Sequence, residues 1–124
     1  MTNFKLSLGN RDLLAKEGYL TKTMRQVEKE LLEHQFEFQI EAIEIQEKLT
    51  EAVSQLEGFL GLLERRNVER LFHLLYRIDI PEAMIADYGD KHPGLSWYRI
   101  VSEVIFLRCL QKIILREQFG AKKN

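Results

Sequence analysis

The chain has 124 residues, of which 45% are hydrophobic and 30% are charged. This composition is that of one soluble globular domain, which we place over residues 1–124, and it excludes a disordered chain. The net charge of −1 argues against a nucleic-acid binder, because such domains carry a strong basic excess. No stretch has the ~18 apolar residues of a membrane span, and residues 1–14 lack the apolar core of a signal peptide. We therefore expect a cytoplasmic protein without membrane contact.

The spacing of the apolar residues predicts an all-α fold. Only Pro81 and Pro93 interrupt the chain, and strand patterns are sparse. We interpret residues 1–19 as an N-terminal arm with a short helix that is stopped by Gly18. Residues 120–124 form a basic tail beyond the last predicted helix.

A long helix is predicted over residues 21–64. A capping box of Thr23 and Gln26 marks its start, and apolar residues at spacings of three, four or seven form one stripe along it. The segment Phe36–Ile40 alternates apolar and polar residues as a half-buried strand does, but its flanks have helical period, which favours helix. A straight helix of this length would span roughly 66 Å, which is more than the shorter helices can cover.

Three shorter helices are predicted over residues 68–79, 81–88 and 97–119. Asn67 and Ser96 are the expected N-caps of the first and the third. The apolar stripe of the first comprises Val68, Leu71, Phe72, Leu75 and Ile78. The third is apolar nearly all round, which places it at the centre of a bundle or between protomers. Trp97 at its start is either a core residue or an interface residue.

The long helix has a second apolar face, formed by Leu32, Phe36, Ile40 and Ile43. A helix that is apolar on two opposite faces needs two neighbours at that level. We therefore predict an antiparallel homodimeric bundle built around this helix, with these four residues at the interface. The alternative is that apolar residues of the N-terminal arm fold back over the same face.

Charge is unevenly distributed along the chain. Residues 28–64 carry ten acidic and two basic side chains, whereas the flanking segments have a basic excess. One interpretation is that the acidic helix packs against the basic ones, with weak ion pairs at the rim. The other is that it attracts a second protein with a basic face.

Two Glu-x-x-x-His pairs, Glu30/His34 and Glu69/His73, are the candidates for a metal site. A spacing of four puts both side chains on one face of a helix, where each pair offers two ligands. The simpler interpretation is a surface pair that stabilises its helix. We favour the latter, and predict no metal, no cofactor and no catalytic residue.

Polar residues cluster between the first two short helices. Tyr76, Arg77, Asp79 and Glu82 form either a structural corner or a polar recognition site. Cys109 lies in the most apolar helix, where we expect a buried, unreactive thiol.

These patterns predict a non-catalytic protein that acts through protein–protein contacts in an assembly, adaptor or regulatory role. Apolar surface exceeds what one short chain is expected to bury, whereas no catalytic pattern is found. Two alternatives stay open. One is a metal-binding helical protein that uses the two Glu/His pairs, and the other is a regulatory domain that binds a small ligand between helices.

Overall fold

The computed structural model describes residues 17–40 and 48–122, and within these ranges its regular structure is entirely helical, which confirms the all-α prediction for them. The five helices within these ranges are α1 (Glu17–Glu33), α2 (Lys48–Arg66), α3 (Val68–Arg77), α4 (Glu82–Lys91) and α5 (Trp97–Lys122). None of the helices in these ranges has both the length and the apolar character that a membrane crossing requires.

The predicted helix over residues 21–64 is wrong, because α1 ends well inside that range. Gln35 N donates to Leu32 O (3.0 Å). Phe36 N donates to Leu31 O (2.9 Å). These two bonds form a Schellman motif, which ends a helix at a residue of positive φ. Gln35 occupies that position with a φ of 66°, where most helices place glycine.

The start of α1 also differs from the prediction. Gly18 lies inside the helix and does not stop one before it. Thr23 lies more than a turn inside α1 and is buried, and its hydroxyl has no hydrogen-bond partner in the described structure. Gln26 donates to Glu30 one turn further on (2.9 Å) and forms no capping box with Thr23. The predicted arm before Glu17 lies outside the described residues.

The segment that follows α1 is neither helix nor strand, but its burial alternates from one residue to the next. Phe36 and Phe38 pack on Phe59 of α2, with ring centroids 5.8 and 5.1 Å from it. Ile40 is buried, and its N–H donates to the Glu28 carboxylate (2.7 Å). The helical interpretation of this segment is therefore wrong. Its alternation of apolar and polar residues reflects the packing of Phe36 and Phe38 on α2.

The three predicted shorter helices correspond to α3, α4 and α5. Asn67 caps α3, since its side-chain oxygen accepts from Arg70 N (3.2 Å). Ser96 caps α5 through a hydrogen bond from Arg99 N to its hydroxyl (3.3 Å). Pro81 is the N-cap of α4 and not its first helical residue.

The central helix is α5. Residues 101–107 are all buried, because α1, α2 and α4 pack against this helix, while α3 packs on α2. The helical stripe predicted for residues 21–64 is still found on the inner faces of α1 and α2, where it comprises Met24, Val27, Leu31, Val53, Leu56 and Leu60.

Candidate functional site

A groove lies between α3, α4 and the first turn of α5. It has a volume of about 870 Å³, which is within the range of ~300–1,000 Å³ that is usual for ligand sites. Aromatic side chains line it on α3 and at the start of α5, and α4 contributes an isoleucine, two small residues and two carboxylates. This groove is the candidate functional site.

The α3 side of the groove carries two exposed aromatic residues. Phe72 is 49% exposed and Tyr76 is 85% exposed, and their spacing of four puts them on one helix face. The sequence placed Phe72 and Val68 on the buried stripe, but both are exposed. The face that packs inward is centred on Leu71, Leu74 and Leu75.

The end of α3 holds Tyr76 in place. Ile80 N donates to Leu75 O (2.9 Å), and Asp79 N donates to Tyr76 O (3.1 Å). This is a second Schellman motif, in which Asp79 has a φ of 68°. The Asp79 carboxylate pairs with Arg108 of α5, whose guanidinium also donates to the Asp79 carbonyl (3.3 Å). The turn from α3 to α4 is thereby tied to the central helix.

Trp97, the first residue of α5, is the third aromatic residue of the groove. Its ring lies edge-on to Phe72, with centroids 6.2 Å apart, and to Tyr98, with centroids 5.4 Å apart. Aromatic pairs favour this arrangement. Trp97 remains 37% exposed, so it supports its neighbours and also lines the groove.

The α4 side of the groove places Ile85 and two small residues between two carboxylates. Glu82, Ala86 and Asp90 are spaced four apart on one face, and all three are exposed. Gly89 lies beside them and close to α5, because a Cβ at this position would lie 3.3 Å from a side chain of that helix. Ile85 is the one large apolar side chain that α4 contributes to this side, and it is half-buried.

The charged side chains that line the groove are all acidic. They are Glu64, Glu82 and Asp90. Glu64 accepts a hydrogen bond from the Tyr98 hydroxyl, whereas Glu82 and Asp90 form no ion pair with any residue in 17–40 or 48–122. The rim of the groove along α4 is therefore negative.

The structure divides the predicted polar corner between two cavities. Tyr76, Arg77 and Asp79 line an adjacent cavity of about 400 Å³. Tyr76 also lines the main groove, together with Glu82. The sequence thus identified two residues of the groove, although it did not identify the aromatic side formed with Phe72.

The four residues predicted for a dimer interface do not form one face. Leu32 is 62% exposed, whereas Ile40 is buried. Phe36 packs on Phe59 in its own chain, and Ile43 lies outside the described residues. Because α1 ends at Glu33, Phe36 and Ile40 do not lie on the same helix as Leu32, and the predicted second apolar face is not formed. The prediction of a homodimer therefore loses the observation on which it depended.

The histidines of the metal alternative lie beside arginines. His34 and His73 line one cavity of about 170 Å³ together with Arg70 and Arg77, whose positive charges oppose a bound cation. Glu69 is exposed and does not line this cavity. Residues 17–40 and 48–122 contain no group of three or more His, Cys, Asp or Glu side chains placed to hold a metal.

Glu30, the fourth residue of that alternative, lies in a buried polar network. Its carboxylate accepts from Lys112 Nζ (2.7 Å) and lies 3.5 Å from Cys109 Sγ. Lys112 also donates to the carbonyl of Ile78 at the end of α3 (3.2 Å). Burial raises the pKa of the Cys109 thiol well above its ordinary value, and the Glu30 carboxylate raises it further. Cys109 is thus a buried thiol that stays protonated.

The acidic segment 28–64 is partly neutralised within the chain. Besides Glu30, which pairs with Lys112, its Glu57 lies 3.7 Å from the Arg99 guanidinium of α5. These ion pairs between the acidic segment and basic residues of α5 therefore help to hold α1 and α2 against α5.

Searches of protein families, of curated proteins and of solved structures found no match to this chain.

Proposed function

We propose that this is a non-catalytic cytoplasmic protein that binds another protein through the groove between α3 and α4. The observation behind the proposal is the exposure of Phe72, Tyr76 and Trp97 around one open apolar groove. Tyrosine and tryptophan are enriched among the residues that contribute most to protein–protein affinity. Exposed apolar patches with polar rims mark interaction sites in proteins that are otherwise well packed.

The lining of the groove supports binding rather than catalysis. Among the described residues that line it there is no Ser, Cys, His or Lys, so its candidate bases and nucleophiles are limited to carboxylates and a tyrosine. Glu82 and Asp90 lie at the exposed rim, and Glu64 accepts a hydrogen bond from the Tyr98 hydroxyl. The polar groups are thus placed to orient a partner at the edge of an apolar contact.

Site-specific photo-crosslinking in the native cell tests the proposal. A photoreactive amino acid replaces Tyr76, and in a matched control it replaces Leu32, which is also exposed but lies outside the groove. We expect one partner, identified by mass spectrometry, to be captured from position 76 and not from position 32. The partner should then bind the purified wild-type protein, and Tyr76→Ala should weaken that binding at least tenfold. Equal capture at both positions, or binding that ignores Tyr76→Ala, would contradict the proposal.

A second candidate function is that of a regulatory domain that binds a small apolar ligand in the same groove. The volume of about 870 Å³ favours it, because it could enclose a drug-sized molecule. Native mass spectrometry of the purified protein would then show a bound mass. That mass should be lost in Ala86→Trp, which fills the groove from an exposed position, and kept in Ala83→Trp, which replaces an exposed alanine of α4 that does not line the groove.

A further inference from the structure

We infer that the partner bound by the groove is an amphipathic α-helix with basic residues about two turns apart. This inference rests on the function proposed above and names the chemistry of the partner. It combines three observations: the groove lies between two helices, its α4 side has one large apolar side chain that is half-buried, and its charged lining residues, among those that the structure describes, are acids.

The shape of the groove favours a helical occupant. Residues 17–40 and 48–122 contain no β-strand, so an extended peptide finds no sheet edge to pair with, whereas a groove between helices suits an amphipathic helix. Ala86 and Gly89 are small, and Ile85 is half-buried against the core, so a second helix can pack on α4 at the usual interaxial distance of roughly 8–10 Å. Phe72, Tyr76 and Trp97 then surround the apolar side chains of that helix.

The positions of the carboxylates set the charge pattern of the occupant. Glu82 and Asp90 are eight residues apart on α4, which corresponds to about 12 Å along the helix axis. A partner helix that lies along α4 brings residues seven or eight apart next to these two carboxylates. Lysine or arginine at those two positions pairs with the rim, while acidic residues there are repelled.

Selection from a displayed library tests the inference. The library consists of amphipathic helices with a fixed apolar stripe and two flanking positions, seven or eight residues apart, that are randomised among Lys, Gln and Glu. It is selected against the wild-type protein and against the double variant Glu82→Lys/Asp90→Lys, whose substituted side chains are exposed. Clones count as groove binders only when Tyr76→Ala weakens them and Leu32→Ala does not.

We expect the wild-type protein to enrich Lys at both flanking positions and the double variant to enrich Glu. A helix with two lysines should bind the double variant about tenfold more weakly than the wild type, and added salt should narrow this difference. Groove binders without a charge preference, or with a Lys preference that persists in the double variant, would overturn the inference and leave the proposed function intact. The absence of any binder that depends on Tyr76 would overturn both.

Two further measurements address other occupants of the groove. Light scattering across micromolar concentrations should show no dimer that Tyr76→Ala dissociates, because such a dimer would place a second copy of this chain in the groove. Native mass spectrometry should show no small molecule that Ala86→Trp displaces. A dimer that Tyr76→Ala dissociates, or a small molecule that Ala86→Trp displaces, would overturn the inference of a helical partner.

Discussion

Replacing Lys112 by methionine tests the buried network that joins α1, α3 and α5. Methionine keeps much of the apolar chain of lysine but removes the ammonium group. Glu30, whose side chain is 8% exposed, then loses its cation, and the Ile78 carbonyl loses a donor. Breaking a buried pair from one side typically costs about 3–5 kcal/mol. Because the Lys112 side chain is 25% exposed and water reaches it, we expect a loss of about 2–3 kcal/mol.

A double-mutant cycle measured by urea unfolding, with circular dichroism as the signal, isolates the interaction. The variants are Glu30→Gln, Lys112→Met and the combination of the two. Since the double variant has no uncompensated charge, it should be more stable than the sum of the two single losses implies, with a coupling of about 1–3 kcal/mol. Losses that add would refute the reasoning, because they would mean that the two groups do not interact. Lys22→Met, which removes the exposed pair between Lys22 and Glu117, is the control and should change stability far less.

Three further predictions concern single residues. Thr23→Val removes a buried hydroxyl that has no partner among the described residues, so it should raise the free energy of unfolding by about 1 kcal/mol in the same urea assay; a loss would contradict this. Cys109 should resist alkylation in the native protein at a pH where the urea-unfolded chain reacts. Since folding keeps its thiol protonated, stability should fall as the pH rises above the ordinary thiol pKa of 9.0, and Cys109→Ala should reduce that fall. Gln35→Gly should stabilise and Gln35→Val destabilise by about 1 kcal/mol each, because Gln35 has a positive φ; equal effects would contradict the assigned turn.

The helices of the C-terminal half could be predicted because their ends are encoded locally. Asn67 and Ser96 have short polar side chains that bond the first free N–H groups of α3 and α5, and such residues favour this position in most contexts. The central position of α5 could also be predicted, because a helix that is apolar on every side must be covered on every side.

The end of α1 could not be predicted from local signals. Both Schellman motifs place a residue other than glycine at the position of positive φ, Gln35 in one and Asp79 in the other. The only signal of the break is the alternation from Phe36 to Ile40, and its meaning depends on Phe59, which is distant in sequence. A helical period on both sides of a short segment does not show that the helix continues through it.

The outward orientation of Phe72 could not be predicted from the sequence, for a related reason. The apolar stripe predicted for α3 is wider than the face that α2 covers, and periodicity does not show which edge of such a stripe stays exposed. The structure buries the edge that contains Ile78, together with Leu74 beyond it, and leaves the edge that contains Phe72 and Val68 exposed. Tyr76 was the available sequence signal, because it continues the exposed edge at a spacing of four from Phe72.

Exposed apolar side chains are grouped on α3 and at the start of α5, whereas Leu32 is the exposed member of the interface predicted from α1. This position of the apolar surface changes what it can bind. On α1 the apolar residues would have met an equally acidic copy of the same helix, whereas the groove is bordered by Glu82 and Asp90. The acidic segment of a second copy, residues 28–64, would be repelled by that rim, because it carries ten acidic side chains and two basic ones. Charge therefore disfavours self-association through this segment, and under the proposed function the two carboxylates on α4 would select a partner helix with basic residues.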